Sequence, residues 1–472
     1  MQSKTHFLHI YAALSKEEKE EFECYIKAFY AKYERAQTAL TLLGDDPEPN
    51  QAFWETELIQ PLFPKAPSEA EAKRQVQNIF SDLKRWLLAY LLWADLREQR
   101  IPAAQALSLE GLRRRRLTDL YAQAAQRLEK SAGKPLNEVR STEQALTQWH
   151  LAQQQYYFLT PDKQSEEQDS FLRMGETLSF FYELSSIKYA CEQWSRVQLR
   201  DEAPPAEVLT LWERFKQSPW QGNALYAAYY KLFRLIVSQE EALFFELKKD
   251  LFEINAPHVS DPTDQLILFT YMSNYAARKA RENDAYLKEA MDLYKKGLEL
   301  NLYDLEGWFN TGTFVNIVQT ACSVESADWV EAFITKWAAT LSPDDAPSVT
   351  ALCRGRVLFE KEQYGKCLEA LQDVEFKNVL YHLQVRSLQL RCFYENGDWE
   401  SLENNCVSLY RFIRQKKHTG DTLKTPTLNF IALMRALVKK GQTQKAFSAL
   451  LRKKKPVWAA VWFEKKLEAL KN

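Results

Sequence analysis

Five segments in the C-terminal part of the chain, 268–300, 309–339, 349–374, 384–412 and 428–451, share one pattern: an apolar helix, a short turn and a second helix. A unit of that size cannot bury its apolar face alone, so the pattern predicts a stack of helix pairs in which each pair covers the next. Such stacks present extended surfaces to partners and seldom enclose catalytic machinery. The class of function is therefore legible before any residue is assigned a role.

The remainder of the chain reads as helical too. Only 13 Gly and 17 Pro punctuate 472 residues, strand-like alternation is scarce, and 26 Phe, 22 Tyr and 13 Trp supply ample core material. The expected fold class is all-α. An N-terminal helical bundle is expected over 1–131, connecting helices or degenerate repeats over 132–262, and the repeats with a C-terminal capping helix over 263–472. In the bundle, Ser15 and Glu18 form a capping box that satisfies two free backbone N–H groups. The helix it opens carries Phe22, Tyr25, Ile26, Phe29, Tyr30 and Tyr33, and a Gly/Asp/Pro loop at 44–50 follows. A second helix starts at Ser68. There Val76, Phe80, Leu83, Leu87, Tyr90 and Ala94 recur at alternating steps of 4 and 3, a heptad-like seam. The seam packs against a neighbouring helix of the same chain or, in the sharper reading, forms a homodimer through the 76–94 helix. Breaks are expected at 161–168, 203–205 and 256–262, and the tract 223–237, apolar almost all round, is expected to lie in the interior.

Aligning the second helix of each repeat on a packing residue gives Ala290, Ala332, Cys367, Leu402 and Ala446, at intervals of 42, 35, 35 and 44. Small and medium anchors let two helices approach, while bulkier neighbours such as Trp329, Tyr364 and Trp399 fill the groove between pairs. The segments 352–372 (LCRGRVLFEKEQYGKCLEALQ) and 388–405 (LQLRCFYENGDWESLENN) resemble the tetratricopeptide repeat. The family's small first-helix residue is met by Gly355, its closing proline is absent from most units, and the period drifts from 34. The resemblance implies a right-handed stack of antiparallel helix pairs whose first helices line a concave groove. The whole chain also resembles a group of uncharacterised bacterial helical-repeat proteins, which implies no activity.

Eleven residues before the anchors stand Lys279, Ala321, Arg356, Arg391 and Arg435. Four basic residues at one equivalent position would form a ladder along that groove. Guanidinium groups pair with carboxylates through two hydrogen bonds, so the expected partner is a protein or an acidic peptide. Tyr271, Tyr275 and Tyr394 would supply apolar walls. The plainer reading puts these cations on a solvated face, paired with Glu360, Glu362 or Glu395.

A second set of basic residues points elsewhere. The C-terminal stretch from Arg411 holds sixteen Lys and Arg against three acids, although the chain as a whole has a formal charge of −1. Lys453, Lys454 and Lys455 precede Trp458, Trp462 and Phe463, a mixture that suits single-stranded nucleic acid. The same aromatics also describe a final helix closing the stack. Arg113, Arg114, Arg115 and Arg116 form the densest basic run. They read as the start of an amphipathic helix, where the macrodipole disfavours them and an anion would be welcome. A nucleic-acid-associated protein is accordingly the alternative function.

Neither catalysis nor a cofactor finds support in the residues. Phosphate-cradling, dinucleotide and zinc-protease motifs are absent, the six histidines are scattered, and no metal set is suggested. An enzyme reading would require three or more ionisable side chains converging in one pocket. The seven cysteines contain no CxxC pair, as expected for reduced thiols in a cytoplasmic protein. The spacing of 14 within Cys353/Cys367 and Cys392/Cys406 reads as equivalent core positions. The start of the chain is too polar for a secretory signal, and its longest apolar run, 86–94, spans only about half a bilayer core.

Overall fold

The structure, a computed structural model, describes residues 2–44, 57–64, 68–97, 102–132, 134–158, 168–200, 206–253, 259, 261–280, 282–304, 307–372, 374, 376, 378–415, 421–439 and 443–469. The expected breaks at 45–50, 161–167 and 203–205, and most of 256–262, lie outside those residues. Among the described residues every regular element is helical, so the chain is all-α. None of these helices is long and apolar enough to cross a membrane.

The chain forms two compact units, Met1–Gly133 with His150–Phe171, and Lys134–Trp149 with Leu172–Asn472. In the first, α1 (Gln2–Ala12), α2 (Lys16–Phe29), α3 (Glu34–Leu43) and α4 (Ile59–Leu62) all pack on the long α5 (Glu69–Arg97). The Ser15 capping box is formed, with Ser15 Oγ accepting from the Glu18 N–H and the Glu18 carboxylate from the Ser15 N–H. The helix it opens stops at Phe29, which is exposed together with Tyr33, so of the expected stripe Phe22 and Ile26 alone are fully buried. The α5 seam is the spine of this core. Val76, Phe80, Leu83, Leu87 and Tyr90 are buried against Phe7, Tyr11, Phe22 and Leu40. The chain's own helices thus cover the seam residues, and the packing that the heptad-like pattern predicts is found within the chain. A smaller core joins α6 (Pro102–Arg114), α7 (Thr118–Ala132) and the end of α8 (Thr142–Phe158), where the Tyr121 and Phe158 rings stack 3.9 Å apart.

The second unit contains α9 (Gln168–Arg200) from Leu172 onward, α10 (Ala206–Lys216), α11 (Ala224–Ser238), α12 (Glu241–Phe252), α13 (Pro262–Lys279) and α14 (Ala285–Glu299). There follow α15 (Thr311–Val324), α16 (Ala327–Trp337), α17 (Ala346–Glu360), α18 (Tyr364–Ala370), α19 (Val379–Glu395) and α20 (Trp399–Gln415), and then α21 (Asp421–Val438), α22 (Gln444–Lys453) and α23 (Ala460–Ala469). Each of the five repeat segments holds two of these helices. From α11 onward every helix packs on its successor, and α11 on α13, α15 on α17, α17 on α19 and α19 on α21 also touch.

Local chemistry explains the phrasing. Asp261, Asn310, Ser326, Asn378 and Thr443 each cap the helix that follows by accepting a backbone N–H, worth about 1 kcal/mol apiece. Helix α11 buries Leu225, Tyr226, Tyr229, Leu232, Phe233 and Ile236. Its cap Asn223 also donates to the carbonyls of Leu136 and Val139, at 2.8 and 2.7 Å. Gly355 lets Leu371 close on α17: a Cβ there would meet the Leu371 side chain at 3.0 Å. Cys353, Cys367, Cys392 and Cys406 are all fully buried free thiols.

Two of the five repeat anchors are displaced. Ala332 and Ala446 are exposed, while the next residues, Phe333 and Phe447, are buried. An alanine beside a phenylalanine passes for the small anchor in the sequence, but the ring carries the packing. In those two units the register therefore shifts by one residue.

Candidate functional site: a paired-arginine face on α17 and α19

The register shift decides which basic residues belong together. Eleven residues before Phe333 stands Cys322, and eleven before Phe447 stands Ala436. Arg356 and Arg391 keep their places on α17 and α19, two helices in direct contact. Arg435 lies one residue away from the equivalent position, about 100° around the helix.

Arg356 and Arg391 are brought together and are both half-buried. Arg356 Nη2 donates to Gln384 Oε1 at 3.1 Å, while its Nε is buried and has no partner. The Arg391 guanidinium lies 4.6 Å over the Phe359 ring, and its Nε reaches only the Ser387 carbonyl one turn back, at 3.4 Å. No described carboxylate comes within ion-pair distance of either. Burial holds the Arg356 guanidinium below its ordinary pKa. For Arg391, burial and then the field of Arg356 bring it down to about 10. Glu360, exposed at the end of α17, is the one carboxylate whose field reaches and opposes both shifts. The thiols alongside add no charge, since burial pushes Cys322 up to about 11 and Cys353 to about 12. At neutral pH the face carries two cations with unspent donors, an arrangement suited to receiving an anion.

The other ladder residues do not join them. Lys279 sits in the last turn of α13 with Glu241 and Glu282 within 3.8 Å, and Ala321 is fully buried. Arg435 is exposed and held by Glu403. The four-step ladder is thus corrected to a pair. The expected walls are spoken for as well. Tyr275 is a core residue, Tyr271 bonds Glu192, and the Tyr394 ring meets Trp399, Trp462 and Lys466.

The basic runs fall differently from expectation. Arg113 and Arg114 end α6, and α7 begins only at Thr118. Positive charge at a helix C-terminus complements the macrodipole, so the misfit that suggested an anion site is absent. Arg113 donates to Gln154 and lies over Tyr157, Arg114 pairs with Glu110, and Arg115 donates to the Gly111 carbonyl. Arg116 is exposed with a positive φ. Lys453 and Lys455 are exposed beyond the α22 core and Lys454 is half-buried. Trp462 and Phe463 are buried, and Trp458 donates to Thr427 at 3.0 Å, so these aromatics face the core and offer bases no stacking surface.

Two buried polar nodes have no clear signal in the sequence, because each assembles residues far apart in the chain. Asp264 Oδ1 accepts from Lys188 at 2.5 Å and Tyr229 at 2.6 Å, and Lys188 also reaches Thr142. Glu183 accepts from Ser218, Arg214 and Tyr226. Their members are spent on one another and tie α8 to α13 together. A small cavity of about 150 Å³ lies between Ala224, Ala228, Leu251, Val259 and Phe269. Its one ionisable lining group, Asp250, is paired with Lys231 at 2.6 Å. Among the described residues no group of three or more His, Cys, Asp or Glu is placed to hold a metal ion.

Comparison of the chain with protein-family models, with curated proteins and with solved structures returns no match, so the reading of this site rests on its own geometry.

Proposed function

We propose that the chain is a non-catalytic scaffold, a tetratricopeptide-like helical repeat that holds a protein or peptide partner on the face formed by the first helices of its pairs. One observation carries this reading: α15, α17, α19 and α21 touch in succession while each also packs on the helix that follows it. That order supports a layered stack, whose first helices make one continuous surface. The test is a pull-down from nuclease-treated lysate comparing the wild type with Arg356→Glu/Arg391→Glu, and with Arg435→Glu as the control. The reading expects a stoichiometric protein partner, retained after nuclease, that rebinds when purified and is lost in the double variant. Capture that is equal in all three proteins would place the partner elsewhere.

A second reading keeps a specific observation behind it. Arg452, Lys453 and Lys455 are exposed and form no ion pair among the described residues. Cations of this kind suit phosphate contacts. Capture that disappears with nuclease and weakens steeply with salt would move the assignment to nucleic acid.

A further inference from the structure

We infer that the outward face of α22 and the turn after it bind the phosphate backbone of a nucleic-acid duplex, without reading bases, through Lys445, Arg452, Lys453 and Lys455. The inference rests on the second reading above and names the form of nucleic acid that this face takes.

Charge carries the first step. Residues 422–463 contain no Asp or Glu, against nine Lys and Arg. At the chain's average of 63 acids in 472 residues, about five or six would fall in that stretch. Elsewhere in the second unit such cations are cancelled by acids of the chain itself: Lys248 by Glu289 and Asp292, Lys295 by Glu325, Arg435 by Glu403. Lys445, Arg452, Lys453 and Lys455 are exposed and form no ion pair among the described residues.

Helix geometry gathers them. Phe447 and Leu451 are the buried side of α22, and Lys445, Ala449, Arg452 and Lys453 share the opposite, exposed side. The row rises about 12 Å from Lys445 to Lys453, and Lys455 extends it past the end of the helix. The exposed residues between the cations are Ala446 and Ala449, so nothing bulky holds a rod-like polyanion off the helix. The helix dipole accounts for Arg452 and Lys453 in the last turn but opposes Lys445 in the first. The row stops at α23, whose exposed side carries Glu464 and Glu468.

The form of the ligand follows from what the face lacks. A single strand gains affinity by stacking bases on exposed aromatics. Here Phe447, Trp462 and Phe463 are buried, and Trp458 is half-buried and donates to Thr427. What remains is neutralisation of phosphates, and a duplex, with one charge per about 1.7 Å of its axis, is the denser target.

The test is fluorescence anisotropy of the full chain with a short labelled DNA duplex, a duplex of shuffled sequence, the RNA duplex, and the DNA single strand. Vesicles of mixed neutral and anionic phospholipid are assayed in parallel by sedimentation. A duplex should bind more tightly than the strand, and shuffling should leave its affinity unchanged. The tighter of the DNA and RNA duplexes names the source of the phosphates. Affinity should fall with salt at a log–log slope of about −0.9 per contact, about −3.6 for four. The variant Lys445→Gln/Arg452→Gln/Lys453→Gln/Lys455→Gln should bind at least tenfold more weakly with a flatter slope and an unchanged melting temperature, while Arg435→Gln binds as the wild type does. Equal or tighter binding of the single strand, discrimination between the two duplex sequences, or vesicle binding in place of duplex binding overturns the inference. Duplex binding that survives in the quadruple variant refutes this face and leaves the nucleic-acid reading standing, whereas failure of every nucleic acid to bind removes both.

Discussion

Arg435 and Glu403 form a two-point ion pair, with Nη2 2.6 Å from Oε1 and Nε 3.0 Å from Oε2. The pair joins α21 to α20, and both side chains are well exposed. The Glu403 carboxylate raises the Arg435 pKa, the reverse of what happens at Arg391. Two arginines assigned to equivalent positions thus stand in opposite electrostatic settings: Glu403 follows the anchor Leu402, whereas Leu368 follows the anchor Cys367. Water and salt screen an exposed pair even with this geometry, so its coupling stays below about 1 kcal/mol. A double-mutant cycle with Arg435→Gln and Glu403→Gln, read by urea denaturation, measures it. A coupling several times larger would show that this edge of α20 and α21 is covered in solution.

Gly297 and Tyr303 give a sharper test of the repeat packing. The Tyr303 ring lies so close to α14 that a Cβ on Gly297 would fall within 3 Å of three of its atoms. The ring is buried and cannot swing away, so Gly297→Ala should cost about 1–3 kcal/mol. Gly365 in α18 has nothing within 4 Å of the same position. Gly365→Ala should therefore gain up to about 1 kcal/mol of helix propensity. The Tyr303 hydroxyl is buried without a partner, so Tyr303→Phe should be neutral or stabilising and should recover part of the Gly297→Ala loss. Equal effects of the two alanine substitutions would contradict this packing.

The helices were legible because their apolar periods and caps are local. The Ser15 box, the α11 tract and the two-helix character of all five repeat segments follow from residues close in sequence. The register of the stack is set by what a side chain meets on another helix, and Ala332 next to Phe333 offers two locally acceptable answers. The site was half legible for the same reason. Spacing pointed to Arg356 and Arg391, yet only the fold distinguishes a cation already matched, such as Lys279 with Glu241, from one left open. The helix assignment of Arg113 to Arg116 failed on a local ambiguity, since a basic run reads equally well as the end of one helix or the start of the next. The Asp264 and Glu183 nodes were invisible, each built from residues more than thirty positions apart.

The thiols make a prediction of their own. Cys24 is exposed, whereas Cys353 and Cys406 are buried and pushed up to about 12 by that burial. The Cys367 thiol beside it, together with burial, also raises Cys392. Thiolate is the reactive species, so these three should resist a thiol reagent at pH 8 in the native protein. One fast-reacting equivalent is expected, lost in Cys24→Ser, with the buried set appearing only on denaturation. Rapid modification of the buried set would show that α17 to α20 open readily.

The terminal helix α23 decides whether the last repeat is closed. Trp462 and Phe463 pack on Tyr394, Phe430 and Phe447, while Glu395 accepts from Trp462 Nε1 at 2.8 Å and Lys466 Nζ at 2.6 Å. The helix therefore reaches back past α21 to the end of α19, one turn beyond Arg391. Removing the indole empties a buried site, so Trp462→Ala should cost about 3–5 kcal/mol. Trp462→Phe keeps most of the apolar contact and loses only the N–H donor, for about 1 kcal/mol. Glu395→Gln leaves Lys466 without its charge partner and should fall between the two. Truncation after Arg452 exposes Phe430 and Phe447 together, and binding of a hydrophobic dye should rise with the drop in melting temperature. If truncation instead left the melting curve unchanged, α23 would be a bystander, and the Tyr394 ring would be open to a partner after all.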